Sequence, residues 1–410
     1  STLSSSSAAS DVYKRQLDQN GKIHYEGDRI DSMTFGKDSK SISAKIRPHI
    51  QAVRQAKKDK IHKLMQPKDT LLYISLRTLK TEKMPRVKRY EYAKKNGEWL
   101  AWLAEIDTTG NTRPDTLKRL PGAKLTLRNT KKDVDFHFEN VNNFCLSENG
   151  SRLIFSRISA DSSIDGIYAF SMTEQREINV WQGKGDISKL TLSKNGLFGA
   201  FLYQIPDSTK HPKEYELYHI NFEKALNVEN ISSAILMENK EELQISPSFS
   251  PYFSESGKRL FCGVMPIPEK EPKDTLFAED KIDIEIWHWQ DPHLQSVQKV
   301  RLEKEKKRSF LAMYDVKSKS ASIFGTKEIP DIYTALEGDS RYFIGKSGLP
   351  YQKEVSWDYP YYYDYYLIDT ESGRIEKVLP RLQWDAALSP GGKYLYWCCL
   401  LYTSDAADEE

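Results

Sequence analysis

Several absences bound what this chain can be. No run of 18 apolar residues occurs among its 410, so no segment reads as a membrane-spanning helix. Cysteine is scarce: Cys145 and Cys262 lie far apart, Cys398 and Cys399 fall near the end, and no C-x-x-C occurs. That excludes a disulfide framework and leaves the compartment unread. There is no Walker A string, no G-x-G-x-x-G and no H-E-x-x-H. A hydrolase nucleophile elbow would read G-x-S-x-G. The nearest string, Gly345-Lys346-Ser347-Gly348, has the wrong spacing. His288 and His293 with Asp291 suggest a metal only weakly, because Pro292 breaks helical presentation and a loop pair of histidines is ordinarily polar surface. No catalytic, cofactor-binding or metal residue is therefore assigned, and no cofactor. A net charge of +2 is too small to argue for nucleic acid.

The two ends share an unusual relation. Ser6 to Gln16 can be encoded by the transposase adapter used in DNA library preparation. The reverse complement of that adapter, read one base in, encodes C-L-L-Y-T-S-D-A-A-D, which is Cys399 to Asp408. Flexible Ser/Ala-rich tails would explain either end singly but not this relation. Residues 1–16 and 399–410 are therefore expected to be adapter-derived and disordered, with 17–398 a truncated native fragment. Without the tails the net charge becomes +5, still too weak to point to nucleic acid.

What the chain has is a repeat. Ser147 to Phe155 reads S-E-N-G-S-R-L-I-F, an Asn-Gly pair between alternating apolar runs. That is a signal for a hairpin with a tight two-residue turn. Related strings begin at Gly36, Lys94, Ser193, Ser254, Leu336 and Ser389, at intervals of 58, 53, 46, 61, 82 and 53. The weakest copies are the first and sixth, where Ser39 and Asp339 replace the turn glycine. Further strands are expected at Ile167–Phe170, Glu177–Val180, Ile187–Leu192, Phe198–Tyr203, Tyr215–Ile220, Ser233–Met237, Tyr365–Asp369 and Arg374–Leu379. Four antiparallel strands per unit of about 40–50 residues is the pattern of a propeller blade. The expected fold is all-β: a β-propeller of four-stranded antiparallel blades with short helical insertions, about seven repeats being visible and the last incomplete. A β-sandwich competes, but a sandwich does not repeat one hairpin seven times.

Insertions interrupt the units. Pro48–Lys68 has helical spacing at Ile50, Val53, Ile61 and Leu64 with a basic face, and reads as a solvated connecting helix. Pro206–Lys213 reads as a polar loop. Pro266 to about Arg308 accounts for the long interval: a Pro-rich linker, then I-D-I-E-I-W-H-W, then a charged helix. Trp287 and Trp289 are expected on one strand face, with Asp283, Glu285 and His288 nearby. They form either an interface platform or an edge strand with aromatic anchors. The run Tyr359–Tyr366 reads as strand alternation, with an aromatic recognition surface as the alternative. The candidate interface residues are Trp287, His288, Trp289, Tyr361 and Tyr363.

Repeats of the form S-x-[DN]-G-x-x-L-x-[FY], with strands ending as in Leu367-Ile368-Asp369-Thr370-Glu371-Ser372-Gly373, resemble the N-terminal β-propeller of prolyl oligopeptidase family serine peptidases. The Trp-rich insertion followed by E-K-E-K-K-R is similar to a large bacterial subgroup. The resemblance covers 17–397. It implies a propeller that caps and gates peptide access to a C-terminal α/β-hydrolase domain absent from this chain, so that the parent protein is a serine peptidase and this portion inactive. Its partners would be a peptide substrate and that hydrolase domain, in the periplasm or outside the cell. TolB-like propellers that bind protein partners share the repeat and are the alternative.

Overall fold

The computed structural model describes residues 14–17, 23–95, 97–106, 119–206, 213–237, 242–268, 286–358 and 361–397. Two compact units divide the chain, 1–199 with 221–228 and 200–220 with 229–410. The chain is all-β and built of four-stranded blades whose strands pair in chain order. The first blade comprises Ile30–Phe35, Ser41–Ile46, Thr70–Ser75 and Thr81–Met84. The second comprises Val87–Tyr92, Trp99–Ala104, Ala123–Asn129 and the first half of Val134–Leu146. The third takes over the second half of that long strand and adds Arg152–Arg157, Gly166–Ser171 and Arg176–Gln182. Asn140, at φ 60°, marks the bend where the long strand leaves one blade and enters the next.

The fourth blade is Asp186–Leu192, Phe198–Gln204, Tyr215–Asn221 and Asn227–Asn230. In the fifth, Leu243–Ile245 and Tyr252–Phe253 both pair with Arg259–Pro266, followed by Phe310–Asp315 and Ser320–Ile323. The sixth is Asp331–Thr334, Tyr342–Ser347, Tyr363–Asp369 and Ile375–Leu382. A two-stranded half blade, Ala386–Leu388 with Leu395–Trp397, follows. Each of the seven sequence repeats falls at the hairpin between the first and second strands of its blade.

Both faces of a blade are apolar because both are covered. Along Trp99–Ala104, Trp99, Ala101 and Leu103 enter the core shared with the third blade, beside Phe138, Phe155 and Phe170. The alternate residues Leu100 and Trp102 enter the core shared with the first blade, beside Leu71 and Tyr73. A side-chain period of two thus sends one strand into two cores, and a slip by one residue would exchange them. Phe155, Phe261 and Phe343 are fully buried, each contributing about 1.5–3 kcal/mol relative to exposure. Arg128 joins the first two blades. Its guanidinium lies 5.3 Å from the Tyr73 ring and 5.4 Å from the Trp102 ring. It donates to Asp135 at 2.7 and 2.8 Å and to Glu82 at 2.7 Å.

The hairpin turn differs from the tight two-residue form expected. The Gly150 amide donates to the Ser147 carbonyl at 3.0 Å, and the Ser147 amide to the Arg152 carbonyl at 2.9 Å. Gly150 takes φ 69°, while Asn149 is not left-handed. The buried Ser147 hydroxyl supplies what the open turn lacks, accepting from the amides of Ser151 and Arg152 at 3.0 Å each. Ser193, Ser254 and Ser389 repeat this bond to the residue five places on. In the first copy Ser39 is left-handed at φ 55°, at the glycine position. In the sixth the left-handed residues are Leu336, Glu337 and Gly338, not Asp339.

Successive turns bear on one another. The Asn149 amide donates to the Lys194 carbonyl at 3.1 Å, and Arg152 Nη1 to the Gly196 carbonyl at 3.0 Å. In the second unit, Arg259 Nη1 donates equivalently to the Gly338 carbonyl at 3.0 Å, and Ser256 Oγ to Asp339 at 2.7 Å.

Other departures have local causes. Ser233–Met237, expected as a strand, overlaps a single helical turn, Ser232–Ile235; the fourth strand is Asn227–Asn230. The Ser232 hydroxyl accepts from the Leu217 amide at 2.8 Å, and the Ser232 amide donates to Asn230 Oδ1 at 3.0 Å, which turns the chain out of the sheet. The first insertion is helical over Ile50–Lys58 only, so Ile61 and Leu64 lie beyond the helix. Lys14–Leu17 pairs antiparallel with Ile23–Gly27. Lys14, Arg15 and Gln16 of the leading tail are therefore in a strand rather than disordered, held by main-chain pairing. Residues 1–13, 207–212 and 398–410 lie outside the described residues. Among the described residues no helix is long and apolar enough to cross a membrane.

Gly196 and Gly373 share φ +72°, but their surroundings differ. A Cβ at Gly196 would stand 2.4 Å from Ser151 Oγ and 3.2 Å from Ser147 Cβ, whereas nothing lies within 4 Å of one at Gly373. Gly373→Ala is expected to cost about 1 kcal/mol, for left-handed backbone alone. Gly196→Ala is expected to cost about 2–3 kcal/mol, because a neighbouring turn must also yield. Urea denaturation of the two variants measures the difference, and equal costs would show that turn-to-turn packing carries no stability.

Candidate functional site

The first strands of the first two blades, Ile30–Phe35 and Val87–Tyr92, wall a pocket of about 420 Å³. Arg89 and Glu91 alternate along the second of these strands with Tyr90 and Tyr92, whose rings also pack against the core between the two blades. The floor is fixed: the buried Tyr92 hydroxyl hydrogen-bonds with those of Ser43 at 2.8 Å and Ser41 at 3.1 Å. The Tyr90 hydroxyl lies 3.3 Å from Thr34 Oγ1 and donates to the Ser43 carbonyl at 3.4 Å. Phe35, 55% exposed, forms an open aromatic wall.

Four cations and one acid line this pocket: Lys37, Lys45, Arg89, Lys94 and Glu91. Arg89 donates to Glu91 at 2.8 Å and to Asn143 Oδ1 at 3.3 Å, with its guanidinium 4.9 Å from the Phe144 ring. Lys94 pairs with Glu148 at 2.9 Å, and Lys45 with Asp69 at 3.7 Å. Among the described residues Lys37 has no ion-pair partner. Burial pushes the Glu91 carboxyl above the usual range, and the charge and hydrogen bond of Arg89 only partly offset it. The pocket can hold a small anion against an aromatic wall. Its residues escaped the sequence reading because they come from two blades, 44 or more positions apart. The only local signal was polar and aromatic residues alternating in first strands.

The expected interface residues fall in two places. Ile286–His288 is irregular and Trp289 begins a turn, so Trp287 and Trp289 do not share a strand face. No strand partner supports this stretch among the described residues, and Asp283 and Glu285 lie outside them. Trp287 and Trp289 are nonetheless exposed, at 66% and 84%, and the His288 ring stacks on Trp289 at 6.1 Å. The charged helix expected next is Gln295–Lys306 and buries none of its residues. His293 Nε2 faces Arg301 Nη1 at 3.1 Å, and no metal-binding cluster occurs among the described residues.

The tyrosine run is mostly structural. Tyr365 is fully buried, its hydroxyl donating to the Trp384 carbonyl at 3.2 Å. Tyr363 packs in the core between the sixth blade and the half blade, with Lys346 Nζ 3.9 Å from its ring centre. Tyr361 is 40% exposed. Asp364 is buried and accepts from Lys377 Nζ at 2.6 Å, Tyr351 Oη at 2.7 Å and the Arg381 amide at 3.0 Å. Burial opposes its ionisation, but these donors outweigh it and hold the carboxyl below its ordinary value.

No protein-family model matches the chain, and no curated protein matches it. Among solved structures it is similar to the tricorn protease, at 10% identity and TM-score 0.38, over 92% of this chain and 32% of that one. It is also similar to the β-propeller domain of the Trilobed protease from Pyrococcus furiosus, at 9% identity and TM-score 0.41, over 87% and 86%. A third is Pyrococcus horikoshii acylaminoacyl peptidase, at 10% identity and TM-score 0.37, over 88% and 48%. The chain thus spans about a third of the first protein and about half of the third.

Two pH-dependent outcomes follow from the carboxylates. Glu91 has a raised folded pKa, so its contribution to stability is present at acid pH and is lost as pH rises through that value. Glu91→Gln is expected to melt higher than wild type at pH 7–8, with the gain vanishing near about pH 4. A lower melting temperature at pH 8 would contradict this. Asp364 has a depressed pKa, so its contribution is present above the unfolded value and is lost as pH falls. Asp364→Asn is expected to lose about 1–3 kcal/mol at pH 7 and less near about pH 3, read by urea titration at both pH values.

Proposed function

We propose that this chain is the propeller portion of a prolyl oligopeptidase family serine peptidase. It would cap an α/β-hydrolase domain and limit which peptides reach it. The observation that carries the reading is the repeat itself. The string S-E-N-G-S-R-L-I-F and its six looser copies occupy the first hairpin of successive blades, and Leu367–Gly373 resembles the strand endings of that family. In this reading the described residues select and place peptides, and bond cleavage belongs to the other domain. The tails 1–16 and 399–410 are read as adapter-derived, with 17–398 as the native portion.

A second reading, a non-enzymatic TolB-like propeller that binds proteins, is favoured by one observation. Trp287 and Trp289 are exposed beside the basic helix Gln295–Lys306, as at a protein interface.

The coding sequence from an intact copy of the gene separates the readings. The peptidase reading expects the tails to be replaced by other sequence. It also expects a G-x-S-x-G, then Asp and His, within about 250–300 residues downstream, the size of one further domain. The full-length product should hydrolyse peptides and react with a fluorophosphonate probe, and replacing the elbow serine by alanine should abolish both. The present chain alone should do neither. A stop codon soon after the last blade would sink the peptidase reading, as would hydrolysis by this chain that a serine-reactive inhibitor blocks.

A further inference from the structure

We propose that the pocket between the first strands of the first two blades receives a peptide carboxylate, with Lys37 as the cation that meets it and Phe35 and Tyr90 as the wall for the adjoining side chain. The proposal goes beyond peptide gating and stands without a hydrolase domain, because its test is equilibrium binding to this chain.

Size, charge and rigidity support it together. About 420 Å³ falls within the range of small-ligand sites and suits one or two residues of a peptide rather than a folded domain. Positive charge predominates in the lining, and three of the four cations already have acids: Glu91 for Arg89, Glu148 for Lys94 and Asp69 for Lys45. Lys37 is the cation left to attract a ligand. Glu91 in the wall opposes a dianion more than a single negative charge, which favours carboxylate over phosphate. The Tyr92 hydroxyl, held by Ser41 and Ser43, and the Tyr90 hydroxyl, held at Thr34 and the Ser43 carbonyl, are positioned before any ligand arrives. That lowers the ordering cost of binding.

The carboxylate can come from a chain terminus or from an acidic side chain, and three peptides separate these sources. They are Ala-Ala-Ala-Phe with a free C-terminus, the same peptide amidated, and amidated Ala-Ala-Glu-Phe, each titrated calorimetrically into the full chain at low salt. The free acid should bind at least about tenfold more tightly than its amide, and added NaCl should weaken it. Binding of the amidated Glu peptide as tightly as the free acid would show that the site takes a carboxylate from either source; binding like the neutral amide would assign it to chain termini. Lys37→Glu should weaken the binding at least about tenfold. Phe35→Ala should weaken it without changing the salt dependence. Both positions are exposed, so unchanged melting is expected for both variants. Lys317→Glu, at an exposed lysine in the other unit, should bind as wild type does. Equal binding of acid and neutral amide, an unchanged affinity in Lys37→Glu, tighter binding of inorganic phosphate, or no binding at about 1 mM peptide would each overturn the proposal.

Discussion

A four-stranded sheet with two apolar faces cannot bury either face alone, and every other feature of this chain answers to that constraint. Trp99–Ala104 shows it within six residues, its alternate side chains entering separate cores with the first and third blades. Such a strand loses its alternation of polar and apolar and becomes a continuous run, W-L-A-W-L-A, as strands covered on both sides do. Because neighbouring blades within each unit complete one another's cores, stability there is shared between blades rather than held within one repeat of sequence. The polar links between blades then have a defined task, to fix the angle at which apolar faces meet. Arg128 does this with two carboxylates and two rings, and Arg152 and Arg259 do it at the turns.

The turns show why this repeat survives as a sequence signal. The serine is conspicuous because its buried hydroxyl satisfies backbone donors that the wider turn leaves open, and an unsatisfied buried amide is costly. The glycine is conspicuous because it is left-handed. Neither residue carries chemistry. A motif can therefore be strongly patterned and still mark architecture.

What could be read from the sequence divides along physical lines. The strands at Ile167–Phe170, Phe198–Tyr203 and Tyr365–Asp369 were legible because burial on alternate or both faces imposes a pattern on consecutive residues. Ser233–Met237 was misread because an apolar stretch in helical and extended form looks alike over five residues. What turned it were the bonds of the Asn230 and Ser232 side chains to main-chain amides. The Asn-Gly turn was misread because the same dipeptide serves a tight turn and a wider one, and only the serine hydroxyl's bonds separate them. Trp287 and Trp289 have the period of a strand, but a strand needs a partner to supply backbone bonds, and none is present among the described residues. The pocket had little signal in linear order beyond the alternation of polar and aromatic residues in its strands. It depends on two first strands from different blades lying side by side, a relation that the repeat implies and no local window contains.

Two cations in the first unit show how architecture and recognition can be told apart on one framework. Arg128 is 8% exposed, bonded to Asp135 and Glu82 and flanked by rings. Its counter-charges come with the fold, and they hold its guanidinium protonated against burial. Removing it would take from Asp135 both of its Arg128 bonds and leave Glu82 with Lys80, so the position answers to folding. Lys37 stands in a turn, exposed, in no ion pair among the described residues, since the neighbouring Asp38 accepts from the Lys40 amide, and it lines a pocket whose other cations are already paired. Nothing in the blade's stability requires a charge there. A cation with its counter-charges supplied by the fold stabilises the fold, whereas one without them leaves a local potential for a ligand to satisfy. By that criterion the second kind of cation, and not the conspicuous repeat, is where specificity for a charged partner can change from one such propeller to another without cost to the blades.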